Sequence, residues 1–132
     1  MEMEIHFPKG LQVQANYKDF QISTDQNKRS GGSGKYPDPF TLFISSIGTC
    51  TGIYVLRFCQ LRDIPTKDLY LSLKTKKNED TGLIGDIDIL IHAGKDFPIK
   101  YKEAVMKVAS KCTVKKHLEK PPSIHLSFSE DE

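Results

Sequence analysis

Hydrophobic positions along this chain of 132 residues follow two rhythms, one of period two and one of period three to four. Ile5 and Phe7 alternate with Glu4 and His6, and Pro8-Lys9-Gly10 supplies a turn. Leu11, Val13, Ala15 and Tyr17 then alternate with Gln12, Gln14, Asn16 and Lys18; after a turn at Asp19, Phe20 and Ile22 alternate with Gln21 and Ser23. Alternation of this kind gives a strand one dry face and one wet face, so the pattern predicts an antiparallel meander of three strands. Leu69, Leu71 and Leu73 repeat it, as do Ile87, Ile89 and Ile91 beyond a turn at residues 76–82, which predicts a hairpin. Ile124, Leu126 and Phe128 predict one final strand.

The longer rhythm lies between these strands. Residues 39–56 contain no charge. Asp38 offers a side-chain cap, Pro39 suits a first helical turn, and Asp63-Ile64-Pro65 stops the helix near Leu61 or Arg62. Thr41, Ser45, Ser46, Gly48, Thr49, Thr51 and Gly52 make the stretch half polar or small, so it falls short of a membrane span and reads as a buried central helix. Phe97-Pro98 opens a second helix, with Tyr101, Val105, Val108 and Cys112 on one stripe. A short helix or turn follows over residues 113–119, ended by Pro121-Pro122. Residues 24–38, with Gly31, Gly32 and Gly34, read as a flexible loop. A phosphate-cradling loop is excluded there, because Arg29 stands where glycine is needed and Tyr36 where serine or threonine is needed. The element order predicts an α+β fold: one antiparallel sheet (meander, hairpin and final strand) packed on two main helices, in a single domain over residues 1–132.

Charge removes whole classes of function. A net charge of +2 argues against a dedicated nucleic-acid binder, and a charged fraction of 27% beside 38% hydrophobic residues argues against disorder. The start of the chain has no basic segment followed by an apolar one, which fits a cytoplasmic protein with reduced thiols. Lys111, Lys115, Lys116 and Lys120 read as a solvated helix face. His6, His92, His117 and His125 have no metal-ligand spacing, so no zinc site is expected.

The chemistry then rests on three cysteines, an odd number without a CxxC pair and hence no disulfide framework. Cys50 shares an apolar stripe with Phe43, Ile47 and Tyr54. Cys59 lies half a turn round the same helix and about 13 Å along it, so it cannot pair with Cys50 and reads as a core residue. Cys112 sits near the predicted start of the short helix, beside Lys111, Lys115 and Lys116, where amide dipoles and positive charge favour thiolate. Spacing leaves open whether Cys50 and Cys112 meet, or whether both simply pack as small apolar side chains.

These residues resemble the OsmC/Ohr-like proteins, small thiol-dependent enzymes that reduce organic and lipid hydroperoxides. One anchor is the run from Gly31-Gly32-Ser33-Gly34 through Asp38-Pro39-Phe40 to Gly48-Thr49-Cys50. The other is Ala109-Ser110-Lys111-Cys112-Thr113-Val114. The resemblance implies Cys50 as the peroxide-attacking cysteine and Cys112 as the resolving one, working through sulfenic acid and a disulfide that a dithiol reductant resets. It further implies an intertwined homodimer acting on a small hydrophobic hydroperoxide, without metal or organic cofactor and without nucleic acid or membrane as partner.

Two positions depart from the family pattern. Its usual Asn-Pro-Glu is Asp38-Pro39-Phe40 here, and its N-terminal arginine has no counterpart before Arg29, the nearest cations being Lys9 and Lys18. These departures point to the divergent OsmC-like branch. The alternative reading is a non-enzymatic module that binds a small hydrophobic ligand and merely packs its cysteines.

Overall fold

A computed structural model of the chain describes residues 1–130. The elements run β1 (Glu4–His6), β2 (Val13–Tyr17), β3 (Phe20–Thr24), α1 (Pro39–Leu61), β4 (Tyr70–Lys77), β5 (Ile84–His92), α2 (Lys102–Ala109) and α3 (Thr113–Glu119). Short 3-10 turns occupy Lys28–Ser30 and Ile99–Tyr101. The chain forms two compact units, residues 1–46 and the remainder from Ile47 onward.

In the first unit the meander is as expected: β2 pairs antiparallel with both neighbours, and Ile5, Ala15 and Ile22 fall in one cross-strand row. Pairing of Tyr17 with Phe20 leaves Lys18-Asp19 as a two-residue turn, with Lys18 at φ 52°. The connection over residues 24–38, expected to be flexible, is instead built on a buried carboxylate. Asp25 accepts hydrogen bonds from the Ser33 hydroxyl, the Gln26 amide at 2.7 Å and the Lys35 amide at 3.2 Å. These donors, the Ser33 hydroxyl foremost, hold its pKa below the ordinary carboxylate value against the opposing effect of burial. Gly32 is obligatory there, because a Cβ would lie 2.0 Å from the Gln26 carbonyl oxygen. The polar donors of this loop and the space left by Gly32 together shape it around Asp25.

Helix α1 starts and stops as its sequence dictates. The Thr41 amide donates to Asp38 Oδ1 at 2.7 Å, a side-chain cap. At the other end the Ile64 amide reaches the Cys59 carbonyl at 2.9 Å and the Asp63 amide the Gln60 carbonyl at 3.3 Å. With Asp63 at φ 53°, this is a Schellman ending in which aspartate takes the left-handed position that usually goes to glycine.

Within the second unit, β4 and β5 form a separate two-stranded sheet. Leu71 lies opposite Ile91 and Leu73 opposite Ile89 on one face, whereas Lys74 faces Asp88 and Lys76 faces Asp86 on the other. Gly48 lets α1 approach the Leu73 side chain. The core gathers Val55, Phe58, Cys59, Ile64, Val105 and Ala109, with Leu69, Leu71, Ile91, Phe97, Tyr101 and Val108 packed around them.

Four expectations change. The sheet is divided into a three-stranded and a two-stranded part. The final strand does not form: Ile124, Leu126 and Phe128 are 92%, 100% and 89% exposed, and the segment has no ladder partner among the described residues. A lone extended segment has nothing to receive its amides, so alternation by itself is insufficient. Helix α2 ends at Ala109, which puts Cys112 beyond it. Finally, α1 is long and apolar enough to cross a membrane by length and composition, despite its small and hydroxylated residues. Ile47, Thr51, Val55, Phe58 and Cys59 on this helix are nonetheless buried within the protein.

Candidate active site

The Cys50 and Cys112 side chains meet. The two residues come from α1 and from the head of α3, and Cys50 lies close enough to favour ionisation of Cys112. Both are free thiols, Cys50 partly exposed and Cys112 only 1% exposed. Cys50 is carried by the fourth turn of α1, on the stripe the sequence indicated. Cys112 owes its position to the break between α2 and α3. The Ser110 and Lys111 amides close onto Met106 and Val108 at 3.1 Å each, and Cys112 then becomes the residue that caps α3.

That cap sets the electrostatics. The Lys115 amide donates to Cys112 Sγ at 3.4 Å, in the place where a serine or aspartate oxygen usually accepts. Burial opposes ionisation of this thiol, but hydrogen bonds from the Lys115 amide, the Cys50 and Thr51 side chains and the Val114 amide outweigh it. The Cys112 pKa is therefore lowered from the ordinary cysteine value. In the protonated form the thiol points to the Ile47 carbonyl at 4.0 Å. Thr51 is buried and donates to the same carbonyl at 2.8 Å.

Three contributors were not singled out from the sequence. Thr51, one residue beyond Cys50, carries no signal in the sequence beyond being small and hydroxylated. Tyr54 was placed on the stripe but not assigned a partner, yet its hydroxyl lies 3.2 Å from that of Thr113, the first residue of α3. The Lys115 amide could have been found by reading Cys112 as a cap three residues before it.

Cys59 is kept apart, fully buried in the core of the second unit. Burial raises its pKa, and Arg62 offsets that only in part. Arg62 itself stacks on the Phe58 ring at 3.7 Å and donates to the Phe58 carbonyl at 3.2 Å. Of the departures noted above, Phe40 is exposed and its ring lies 5.7 Å from that of Phe43, while Arg29 is exposed in the 3-10 turn of the first unit. Among the described residues no group of histidine, cysteine, aspartate or glutamate is arranged to hold a metal.

A cleft of about 450 Å³ is lined by Ile47, Thr51 and Lys115, which also interact with Cys112, while neither Cys50 nor Cys112 lines it. Its lining includes Ile87, Ile89 and Ile91 of β5 together with Met106 and Leu118. Lys115 is the one cation of its lining. Its size and apolar character suit a small organic group.

The family pattern described as OsmC-like protein matches residues 32–127. No curated protein matches the chain. Among solved structures, a protein of Aquifex aeolicus VF5 superposes with a TM-score of 0.70 at 22% identity, covering 91% of this chain and 87% of that one. A Psychrobacter arcticus 273-4 protein, named for osmotic stress induction and detoxification response, gives 0.70 at 17% identity over 86% and 85%. An organic hydroperoxide resistance protein from Legionella pneumophila gives 0.55 at 15% over 89% and 87%. At such identities the likenesses establish the fold, and the family match over residues 32–127 carries the assignment: the chain belongs to the OsmC-like family.

Proposed function

We propose that this protein reduces organic hydroperoxides through a cycle shared by Cys50 and Cys112. The observation that supports the reading is the proximity of a partly exposed thiol to a buried one whose ionisation is favoured. Accessibility supports one order of events. A hydroperoxide reaches Cys50 and not Cys112, so the Cys50 thiolate attacks the peroxide oxygen. The O–O bond breaks, the alkoxide leaves and takes up a proton as the alcohol, and Cys50 becomes sulfenic acid. The Cys112 thiolate then attacks the Cys50 sulfur; the S–O bond breaks, hydroxide leaves as water after protonation, and a disulfide forms. A dithiol reductant returns two electrons and two protons by thiol exchange. The apolar cleft next to Thr51 favours an alkyl or aryl hydroperoxide over hydrogen peroxide.

The working unit in this reading is a homodimer. Ile5, Phe7 and Phe20 on the meander, and Ile124, Leu126 and Phe128 at the end of the chain, are large apolar residues left in water. A second copy would cover such residues. Sedimentation of the reduced protein at micromolar concentration gives the mass of two chains if this holds, and of one chain if it does not.

Cumene hydroperoxide tests the chemistry. Added to the reduced protein, one equivalent consumes two thiols, and peptide mapping finds Cys50 joined to Cys112 with Cys59 reduced. Oxidation of Cys50 no faster than that of free cysteine, or an unchanged rate in Cys50→Ser, overturns the proposal. A 450 Å³ cleft that bound hydrophobic molecules without any thiol loss would instead favour the non-enzymatic binding module.

A further inference from the structure

Helix α3 brings Cys112 to Cys50, yet the helix has only seven residues, none of them buried. So short a helix is marginal unless it is held from outside. Its head has two attachments to α1. One is Cys112 itself, against Cys50, Thr51 and the Ile47 carbonyl. The other is the hydrogen bond at 3.2 Å between the Tyr54 and Thr113 hydroxyls. Tyr54 lies one helical turn beyond Cys50, and Thr113 directly follows Cys112. The two contacts thus form adjacent rungs between the same pair of helices.

The first rung must change during the cycle. On forming a disulfide, Cys112 exchanges a non-bonded contact with Cys50 for a bond of about 2.05 Å, and its sulfur no longer offers a negative charge to the Lys115 amide. The second rung has no such obligation. We propose that Tyr54 is the positioning residue of the resolving step: its hydroxyl holds Thr113, and with it the first turn of α3, so that the Cys112 sulfur stays in line with Cys50 while the cap is remade. Tyr54 touches neither hydroperoxide nor sulfur in this role. It acts through the backbone of residues 112–113, and it concerns closure of the disulfide, not attack on the peroxide.

This inference rests on the hydroperoxide reading for its kinetic readout but has a second readout that does not. In rapid-mixing experiments with cumene hydroperoxide, Tyr54→Phe keeps the ring and removes the hydroxyl. It leaves the rate of Cys50 sulfenic acid formation unchanged and slows disulfide closure by about two- to tenfold, the range expected for one hydrogen bond. Thr113→Val slows closure to a similar degree, Thr113→Ser restores it, and the double variant is no slower than either single one. Independently of any peroxide, thiolate absorbance in a Cys50→Ser, Cys59→Ala background gives the Cys112 titration, which moves upward when Tyr54→Phe is added. Unchanged closure together with an unchanged Cys112 titration overturns the inference, as does equal slowing of attack and closure. If wild-type thiols ignore the hydroperoxide, the proposed function fails, while the titration still decides the role of Tyr54.

Discussion

Cys59 and Cys112 are almost equally buried, at 0% and 1% exposure, and their pKa values move in opposite directions. Around Cys59 there are aliphatic and aromatic side chains, and its own carbonyl, not its sulfur, takes part in ending α1. Burial then acts almost unopposed and keeps the thiol protonated. Around Cys112 there are amides and hydroxyls at the head of a helix, and their partial positive charges overcome the same desolvation. Depth therefore says little about the reactivity of a cysteine. The number of donors aimed at its sulfur decides, and a helix head supplies several at once.

Exchanging the two cysteines in turn should give crossed phenotypes, and this is the largest effect expected. Cys112→Ser stops hydroperoxide-driven disulfide formation altogether and leaves Cys50 as a sulfenic acid that dimedone traps. Because serine can accept from the Lys115 amide, the same change costs under about 1 kcal/mol of stability. Cys59→Ser leaves the oxidation chemistry intact but places a hydroxyl without a partner in the apolar core, at a cost of about 1–3 kcal/mol. Urea unfolding and thiol mapping of the two variants test this directly. Similar stability losses in both would erase the contrast between core and cap.

The pH dependence of stability follows with opposite signs. The folded pKa of Cys112 lies below its unfolded value, so its contribution is full above the unfolded pKa and disappears as pH falls through the folded one. The folded pKa of Cys59 lies above its unfolded value, so its contribution is full below the unfolded pKa and disappears as pH rises through the folded one. Between about pH 7 and 10, a window set by an ordinary cysteine pKa of about 8.5, Cys59→Ala should flatten the decline in the urea midpoint. Cys112→Ser should make that decline steeper. If both variants shift the profile in the same direction, the assignment of the two environments is wrong.

How far these contrasts were legible in the sequence depended on range. Residues whose fate is decided within a few positions were read correctly: Asp38 and Pro39 at the start of α1, Asp63-Ile64-Pro65 at its end, and the helix over Thr113–Glu119. Cys59 could be placed in the core from helical geometry alone. The segment at Ile124 failed because a strand needs a partner ladder, which local alternation cannot supply. The loop over residues 24–38 was misjudged because glycines are visible in a sequence, whereas the convergence of Ser33 and Lys35 on Asp25 is not. The pairing of Tyr54 with Thr113 likewise joins residues from distant parts of the chain, and no spacing rule points to it.

The smallest expected effect probes the helix ending beside Cys59. Asp63 occupies a left-handed conformation, φ 53°, which glycine adopts without the clash that a Cβ brings. Its carboxylate also stands at the negative end of the α1 dipole. Asp63→Gly removes both penalties, although the freer unfolded chain returns part of the gain, so the net stabilisation is about 0.5 kcal/mol. Asp63→Ala removes only the charge and retains the strained backbone, so it should be less stable than Asp63→Gly by up to about 1 kcal/mol. The change reaches Cys59 only through the carbonyl that accepts the Ile64 amide, and it leaves every donor to Cys112 in place. Thermal unfolding should therefore separate the two variants while the Cys112 titration stays fixed; a titration that moved with residue 63 would mean that the core around Cys59 and the cap at Cys112 are not energetically independent.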